Sequence, residues 1–466
     1  MAFLNSLISV FYQVGISQPD GLWENLILNV FNWGFLSNYG WRVLVFTLIL
    51  KLLLSPIDIF QRVKTRKSSK VMAKIGPAVE KLEKQYANDQ RMLMMKKNEL
   101  MKEMGAGMNP IMSCLPMILT LTIFMTLFAG LRTIGAYKNA QQYADFYSEY
   151  QNVVQCVQND NFVTLEKNGN PDENRINEFK SSYVIGMGNY VSSLEDGDAL
   201  KTAYGDLEQD DKQDYQTVKA FYNDYWSDKI SLGEKTDADK NTSVDTLASY
   251  VGSSSVNAMY DNAVESFLWI KNIWAPDVPW VSSANSYSSF KTNVQYAGDG
   301  CSCACGCGGQ HAYTDKYEFN DAFVFENEEA EKTERDKMVK EETYNLVMRD
   351  VLKTKTDDAN GYLVLPILSI ALAFITQFLT QQQQKKSGMS LDGQNGMTMK
   401  MMMWTMPVLI GFFSLQYTAA FSLYMVVGYI VSLITTLVLT LIFKVADDKE
   451  NNDEIVRKYG RPNFNK

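Results

Sequence analysis

The residue that most needs a chemical explanation is Lys51, near the middle of the strongly apolar run 41–60. A charged side chain at mid-bilayer depth costs roughly 3 kcal/mol on insertion scales, so it is kept there for a reason. Stepping by four and three residues, Thr47, Lys51, Ser55, Asp58 and Arg62 fall on one helical face whose other sides carry Leu, Ile, Val and Phe. Two readings are open. The four-methylene stem of Lys51 snorkels, or pairs with Asp58, as a structural tie; or the stripe lines a water-filled functional cavity. The second is preferred, because ionisable groups inside a span are functional by default and no second buried acid is available. Ser113 and Thr120 in the run 110–131, and Thr376 and Gln377 in the run 361–381, add weakly polar positions. Such hydroxyls usually bond their own backbone or a neighbouring helix, so they count only as a set around Lys51, making a partly hydrated groove.

Four of the six cysteines, Cys301, Cys303, Cys305 and Cys307, alternate with other residues just before His311. That spacing puts the thiols on one side of an extended strand, which suits a soft metal. Zinc sites favour pairs about two to four residues apart, and a compartment outside the cell favours disulfides. Disulfides or plain thiols are therefore the expectation, with these four as weak metal candidates only. Cys114 and Cys156 are expected unpaired. A single His excludes most multi-His chemistry, and Gly186-Met-Gly188 lacks the third glycine of a dinucleotide loop. Neither a nucleophile elbow nor a metalloprotease helix is present. The expectation is a protein that is not an enzyme, with no catalytic residue and no cofactor.

The elements that position these residues follow from charge and hydropathy. The mean hydropathy of −0.18 resembles that of a soluble protein, yet residues 138–358 hold 39 acids against 20 basic residues while the rest of the chain nets +10. An acidic polar block thus interrupts a basic apolar body, and the two belong in different solvents. Apolar runs at about 41–60, 110–131, 361–381, 401–417 and 419–443 approach the roughly 20 residues a helix needs to cross a bilayer. Five spans are expected, the last two joined by a tight hairpin. Residues 61–109 carry 12 basic residues against 5 acids, and residues 1–41 carry none. The positive-inside rule then puts 61–109, the loop 382–400 and the tail 444–466 in the cytoplasm, with the N-terminus and 138–358 outside. No cleaved signal is read at the start; Phe3, Leu4, Leu7, Ile8, Phe11 and Val14 suggest a surface-lying helix.

The segment 61–109 reads as a helical hairpin, about 61–86 and 90–104, with Pro56 before it and Gly76-Pro77 within it as expected kinks. Its Met92, Met94 and Met95 are adaptable apolar side chains beside many positive charges. Lys64, Arg66, Lys67 and Lys70 are candidates for a cytoplasmic landing surface toward anionic lipid, nascent chains or ribosomal RNA. The block 138–358 is long enough to fold around its own aromatic core, mainly α or α+β. Within it 206–230 reads as amphipathic, 326–352 as one charged helix, and the Ser- and Gly-containing stretches near 231–257 and 281–300 as loops.

The order Tyr39-Gly-Trp41, Lys51-Leu-Leu-Leu-Ser-Pro56, a basic hairpin, Gly107-Met-Asn109-Pro110, and Cys114-Leu-Pro116 resembles the YidC/Oxa/Alb membrane protein insertase family. Lys400-Met-Met-Met-Trp-Thr-Met-Pro407, Phe412-Phe413 and Ala420-Phe-Ser-Leu-Tyr424 look like that family's last two spans. The resemblance covers 1–137 and 359–466. It implies an all-α polytopic membrane protein with five helices around a hydrophilic groove, open to cytoplasm and lipid, that receives the polar segments of substrate proteins. Groove residues would be Lys51, Thr47, Ser55, Asp58, Ser113, Thr120, Thr376, Gln377 and Tyr424. Expected partners are nascent membrane proteins, membrane lipid and the ribosome, with a Sec-type translocon left open. Three departures stand out: Lys51 where the family usually has Arg, Met425 where an aromatic often follows the Tyr, and the domain 138–358 where the family has a short connection. With an outside N-terminus and five spans the chain is similar to Gram-positive-type members. The rival readings are a small-solute transporter or channel using Lys51, and an extracytoplasmic sensor or metal-binding module on a membrane anchor.

Overall fold

The computed structural model describes residues 14–16, 21–30, 38–86, 89–103, 110–162, 165–167, 170–294, 323–325, 337–386, 405 and 407–459. In chain order the principal elements are β1 (Val14–Ile16), α1 (Tyr39–Gln85), α2 (Gln90–Glu103), α3 (Pro110–Asn159), β2 (Glu166–Lys167), β3 (Asn170–Pro171), α4 (Glu173–Ser193), α5 (Ala199–Gly205), α6 (Tyr215–Ser231), α7 (Asp237–Ala263), α8 (Tyr287–Val294), β4 (Phe323–Phe325), α9 (Glu341–Val347), α10 (Arg349–Lys355), α11 (Val364–Lys386), α12 (Pro407–Gln416) and α13 (Ala419–Tyr459). The protein is an α-helical membrane protein; its described strands make only the short antiparallel pairs β1–β4 and β2–β3. Val14 therefore lies in a strand, opposite Phe325, and not on the surface helix expected of it. The other residues of that expected helix, Phe3 to Phe11, lie outside the described residues.

The chain divides into two units: a membrane unit of Asn25–Leu131, Pro276–Val278 and Gly361–Lys466, and an inserted unit of Met1–Glu24, Arg132–Ala275 and Pro279–Asn360. In the membrane unit, stretches within three helices are long and apolar enough to cross a bilayer: Tyr39–Lys64 of α1, Val364–Gln382 of α11 and Ala419–Lys449 of α13. The shorter apolar α12 and the opening of α3 occupy the two other expected spans. Asn38 starts α1, its side chain accepting a bond from Gly40 N at 2.9 Å. The helix then continues through Pro56 and Gly76-Pro77 to Gln85, so the separate helix expected from 61 is the extension of the first span. Strong helix formers run across the boundary, with no capping residue at the membrane edge to stop it. After Tyr86, Asp89 opens α2 by accepting from the amides of Arg91 and Met92.

Tyr417 and Thr418 make the turn between α12 and α13, where Thr418 O accepts from Phe421 N at 3.0 Å. Three fully buried serines tie the apolar helices together. Ser369 of α11 bonds Ser414 of α12 at 3.1 Å, and the Ser422 hydroxyl of α13 donates to Ser414 O, also at 3.1 Å. Phe128 of α3 meets Tyr417 and Phe421 edge-on, with ring centroids 4.5 and 5.1 Å apart. At the start of α11 the buried carboxylate of Asp277 accepts from Tyr362 N at 2.8 Å and Leu365 N at 2.7 Å, capping the helix from 87 residues away in the chain. A Cβ at Gly361 would collide with that carboxylate, so this close approach requires glycine.

The inserted unit buries two aromatic cores. One gathers Phe179, Tyr183, Tyr222, Trp226 and Leu247; the other Tyr143, Tyr147, Tyr260, Phe290 and Tyr344. The stretch 231–257, expected as a loop, is mostly the 27-residue helix α7, started by a reciprocal capping box between Thr236 and Asp239. Its serines are buried junctions. Ser254 donates to Asp350 Oδ2 at 2.6 Å, Ser253 accepts from Asp350 N at 2.9 Å, and Ser255 donates to Glu149 Oε1 at 2.9 Å. Small hydroxyls let helices approach closely and satisfy buried carboxylates, which composition alone reads as a flexible tract. Likewise 281–300 contains α8, 206–230 holds a 3-10 turn at Asp211–Gln213 before α6 begins at Tyr215, and the single helix expected over 326–352 is instead α9 and α10, divided at Met348. Residues 326–336 lie outside the description.

Candidate functional site

The polar stripe of α1 faces a matching stripe on α13. Thr47 is fully buried and donates to Val43 O at 2.6 Å, and Ser55 donates to Leu52 O at 2.8 Å, so both hydroxyls serve their own helix. The Lys51 stem lies over Gly428: a Cβ there would stand 3.0 Å from Lys51 Cε and 3.6 Å from its Nζ. Glycine at 428 leaves the space the lysine fills. Three turns further along α1, beyond half-buried Asp58, the Arg62 guanidinium donates to Thr436 Oγ1 at 2.7 Å and Ser432 Oγ at 3.4 Å. Arg66 pairs with Asp447, donates to Phe443 O at 3.2 Å and stacks 4.4 Å over the Phe443 ring. Tyr424, Gly428, Ser432 and Thr436 recur every four residues, so they share one face of α13.

The seam therefore joins Lys51 and Arg62 on one helix to Gly428, Ser432 and Thr436 on another, with Thr47 and Asp58 on the same stripe of α1 and Tyr424 on the same face of α13. Lys51 and Arg62 against Asp58 leave one net positive charge within apolar helices, where its field is weakly screened. This arrangement can attract an anionic segment and offer it donors. Thr376 of α11 is buried with its hydroxyl lacking a hydrogen-bond partner, and Gln377 beside it is half-buried. Ser113 and Thr120 lie on α3, but their side chains fall outside the described residues, as do those of Lys67 and Lys70 on α1. Of the expected landing residues, Arg66 is drawn onto α13 and Lys64 is half-buried. Cys301, Cys303, Cys305 and Cys307 lie outside the described residues; among the described ones no metal-binding group forms, and Cys156 is buried in the core with Val153 and Phe179. Sequence reasoning missed Gly428, Ser432 and Thr436. Their signal was available: small and hydroxyl side chains at four-residue steps in an otherwise apolar span.

The sequence profile of the family described as 60Kd inner membrane protein matches residues 31–179 and 325–446, more than half of the chain. The chain belongs to this family. The match extends further into the acidic block than the motifs did, ending at 179 and resuming at 325, so 180–324 is the part of that block the family pattern does not cover. Among similar proteins are those named membrane protein insertase YidC. The one from Fusobacterium nucleatum subsp. nucleatum is 36% identical over 99 residues, 21% of this chain and 45% of the relative. The one from Caldanaerobacter subterraneus subsp. tengcongensis is 39% identical over 106 residues, covering 23% and 48%. The one from Oceanobacillus iheyensis is 32% identical over 120 residues, covering 23% and 45%. The chain thus spans just under half the length of each of these relatives. No solved structure matches it.

Proposed function

We propose that the protein is a membrane protein insertase of the cell membrane that lowers the barrier for moving polar segments of nascent membrane proteins across the apolar core. The observation that carries this reading is the seam of Lys51, Asp58 and Arg62 against Gly428, Ser432 and Thr436 inside two membrane-length helices. Family membership and the printed name of the relatives support it. In this reading the seam opens as a hydrated groove from the cytoplasm, which shortens the low-dielectric path, and Lys51 attracts acidic segments bound for the outside. Apolar substrate helices leave into lipid, with Thr376, Gln377 and Tyr424 along the route. The N-terminus is outside, the C-terminus is cytoplasmic, and ribosomes deliver clients near Lys64, Lys67 and Lys70. The mechanism makes and breaks no covalent bond.

The test uses Lys51→Cys in a chain whose own cysteines are replaced, probed by a membrane-impermeant thiol reagent from each side. Labelling from the cytoplasmic side is expected. Labelling only from outside, or none beside a reactive Ser55→Cys control, would sink the groove. Lys51→Arg should keep insertion activity, and Lys51→Glu should lose it first for acidic substrates.

A further inference from the structure

In the inserted unit, Leu268 and Trp280 leave 68% and 66% of their surface exposed although both are large and apolar. Leu268 has a left-handed backbone, φ 55°, in a tight turn closed by reciprocal backbone bonds of 2.9 Å between Phe267 and Ile270. Phe267 and Ile270 are buried, so the turn directs Leu268 away from its own core. Glycine or asparagine fills a left-handed position in a solvated turn without strain. Leucine there is strained and gains nothing from water; an apolar surrounding makes the choice favourable.

The chain says which surrounding that is. Buried Asn360 clasps both flanks of the patch: its carbonyl accepts from Lys271 N at 3.3 Å, its side chain exchanges bonds of 2.7 and 2.9 Å with the Asn272 backbone, and its amide donates to Val281 O at 2.8 Å. Asn360 is covalently next to Gly361 of the membrane unit and four residues before α11 begins. Trp280 stands two residues beyond Val278, also of the membrane unit, so the backbone keeps those two Cα atoms within about 7 Å. Tyr362, just before α11, is itself 62% exposed. Aromatic rings at the ends of spans sit at headgroup level, and apolar side chains at that level reach the acyl boundary.

We propose that Leu268 and Trp280 form an interfacial anchor that rests the 264–282 segment in the leaflet α11 enters at Val364, its occupant lipid. The proposal rests on α11 being a membrane span and is independent of insertase activity. The test is a photo-crosslinking amino acid placed singly at Leu268, Trp280, Ile375 or Leu232 in the full chain, reconstituted into vesicles of phosphatidylethanolamine and phosphatidylglycerol carrying a labelled lipid. Ile375 is an exposed position on α11, and Leu232 an exposed one that follows α6. Lipid adducts are expected at 268 and 280 in yields like those at 375, with loss of adduct at 232. Adducts at 375 without adducts at 268 and 280 would overturn the anchor and leave the span reading intact. Adducts to a second copy of the chain at 268 or 280, or equal lipid yields at 232, would overturn it too. Failure at all positions, 375 included, would overturn the span reading and the anchor with it.

Discussion

Lys51 occupies its place because residue 428 has no side chain. A methyl there would press on the flexible end of the lysine, 3.0 Å from Cε, which can move aside; a branched chain would displace it. Gly428→Ala should therefore retain the proposed insertion activity, and Gly428→Leu and Lys51→Ala should lose it to a similar extent, all measured in vesicles at equal protein levels. In the inserted unit, burial alone would lift the Asp358 carboxyl, but the hydrogen bond and charge of Lys271, with Ser283 and Lys355, outweigh it and hold the group below the usual carboxylate range. A depressed carboxylate contributes stability that is present above its unfolded pKa and lost as pH falls through the folded value. Lys271→Ala should accordingly move acid unfolding of this unit to higher pH, read by near-UV circular dichroism. An unchanged acid midpoint would show that the pair contributes nothing.

Among the elements, α7 depends on its start. Thr236→Ala removes one half of the capping box and should cost about 1 kcal/mol, seen as faster amide exchange in the first turns of 237–263. The α1 extension carries charges of two kinds. Arg66 is committed to Asp447 and Phe443, whereas Lys64 makes no ion pair among the described residues. Neutralising Lys64, Lys67 and Lys70 together, with Arg66 left intact, should weaken association with ribosomes and anionic vesicles at low salt without unfolding the protein. Charge contacts weaken steeply as salt rises, while packing does not. Association that survives the triple change, or ignores salt, would reduce these residues to a topology signal.

For the whole molecule, the inserted unit has two buried cores of its own and a strongly acidic composition, so it should be soluble and melt cooperatively when produced alone. Where the fragment ends matters. Ending at 358 removes Asn360, whose bonds to Asn272 and Val281 close the unit. A fragment of residues 132–360 should melt above one of 132–358, by roughly 2–4 °C for each kcal/mol those bonds contribute. Equal melting temperatures would show that the clasp adds nothing to the stability of this unit.

Residue types and spacing by themselves determined the membrane character, the stripe around Lys51, the acidic block and the family, because hydropathy, helical period and charge are local properties of the chain. They could not say what the stripe faces. That Gly428, Ser432 and Thr436 meet it, that Arg66 is spent on α13, and that Asp277 caps a helix 87 residues later were decided by tertiary structure. The serines of α7 show the same limit: in isolation they read as a loop, and only their burial against Asp350 and Glu149 makes a helix the favourable state. Local pattern sets which face is polar; which partner satisfies it is a long-range fact, fixed when buried donors and acceptors must find one another across the fold.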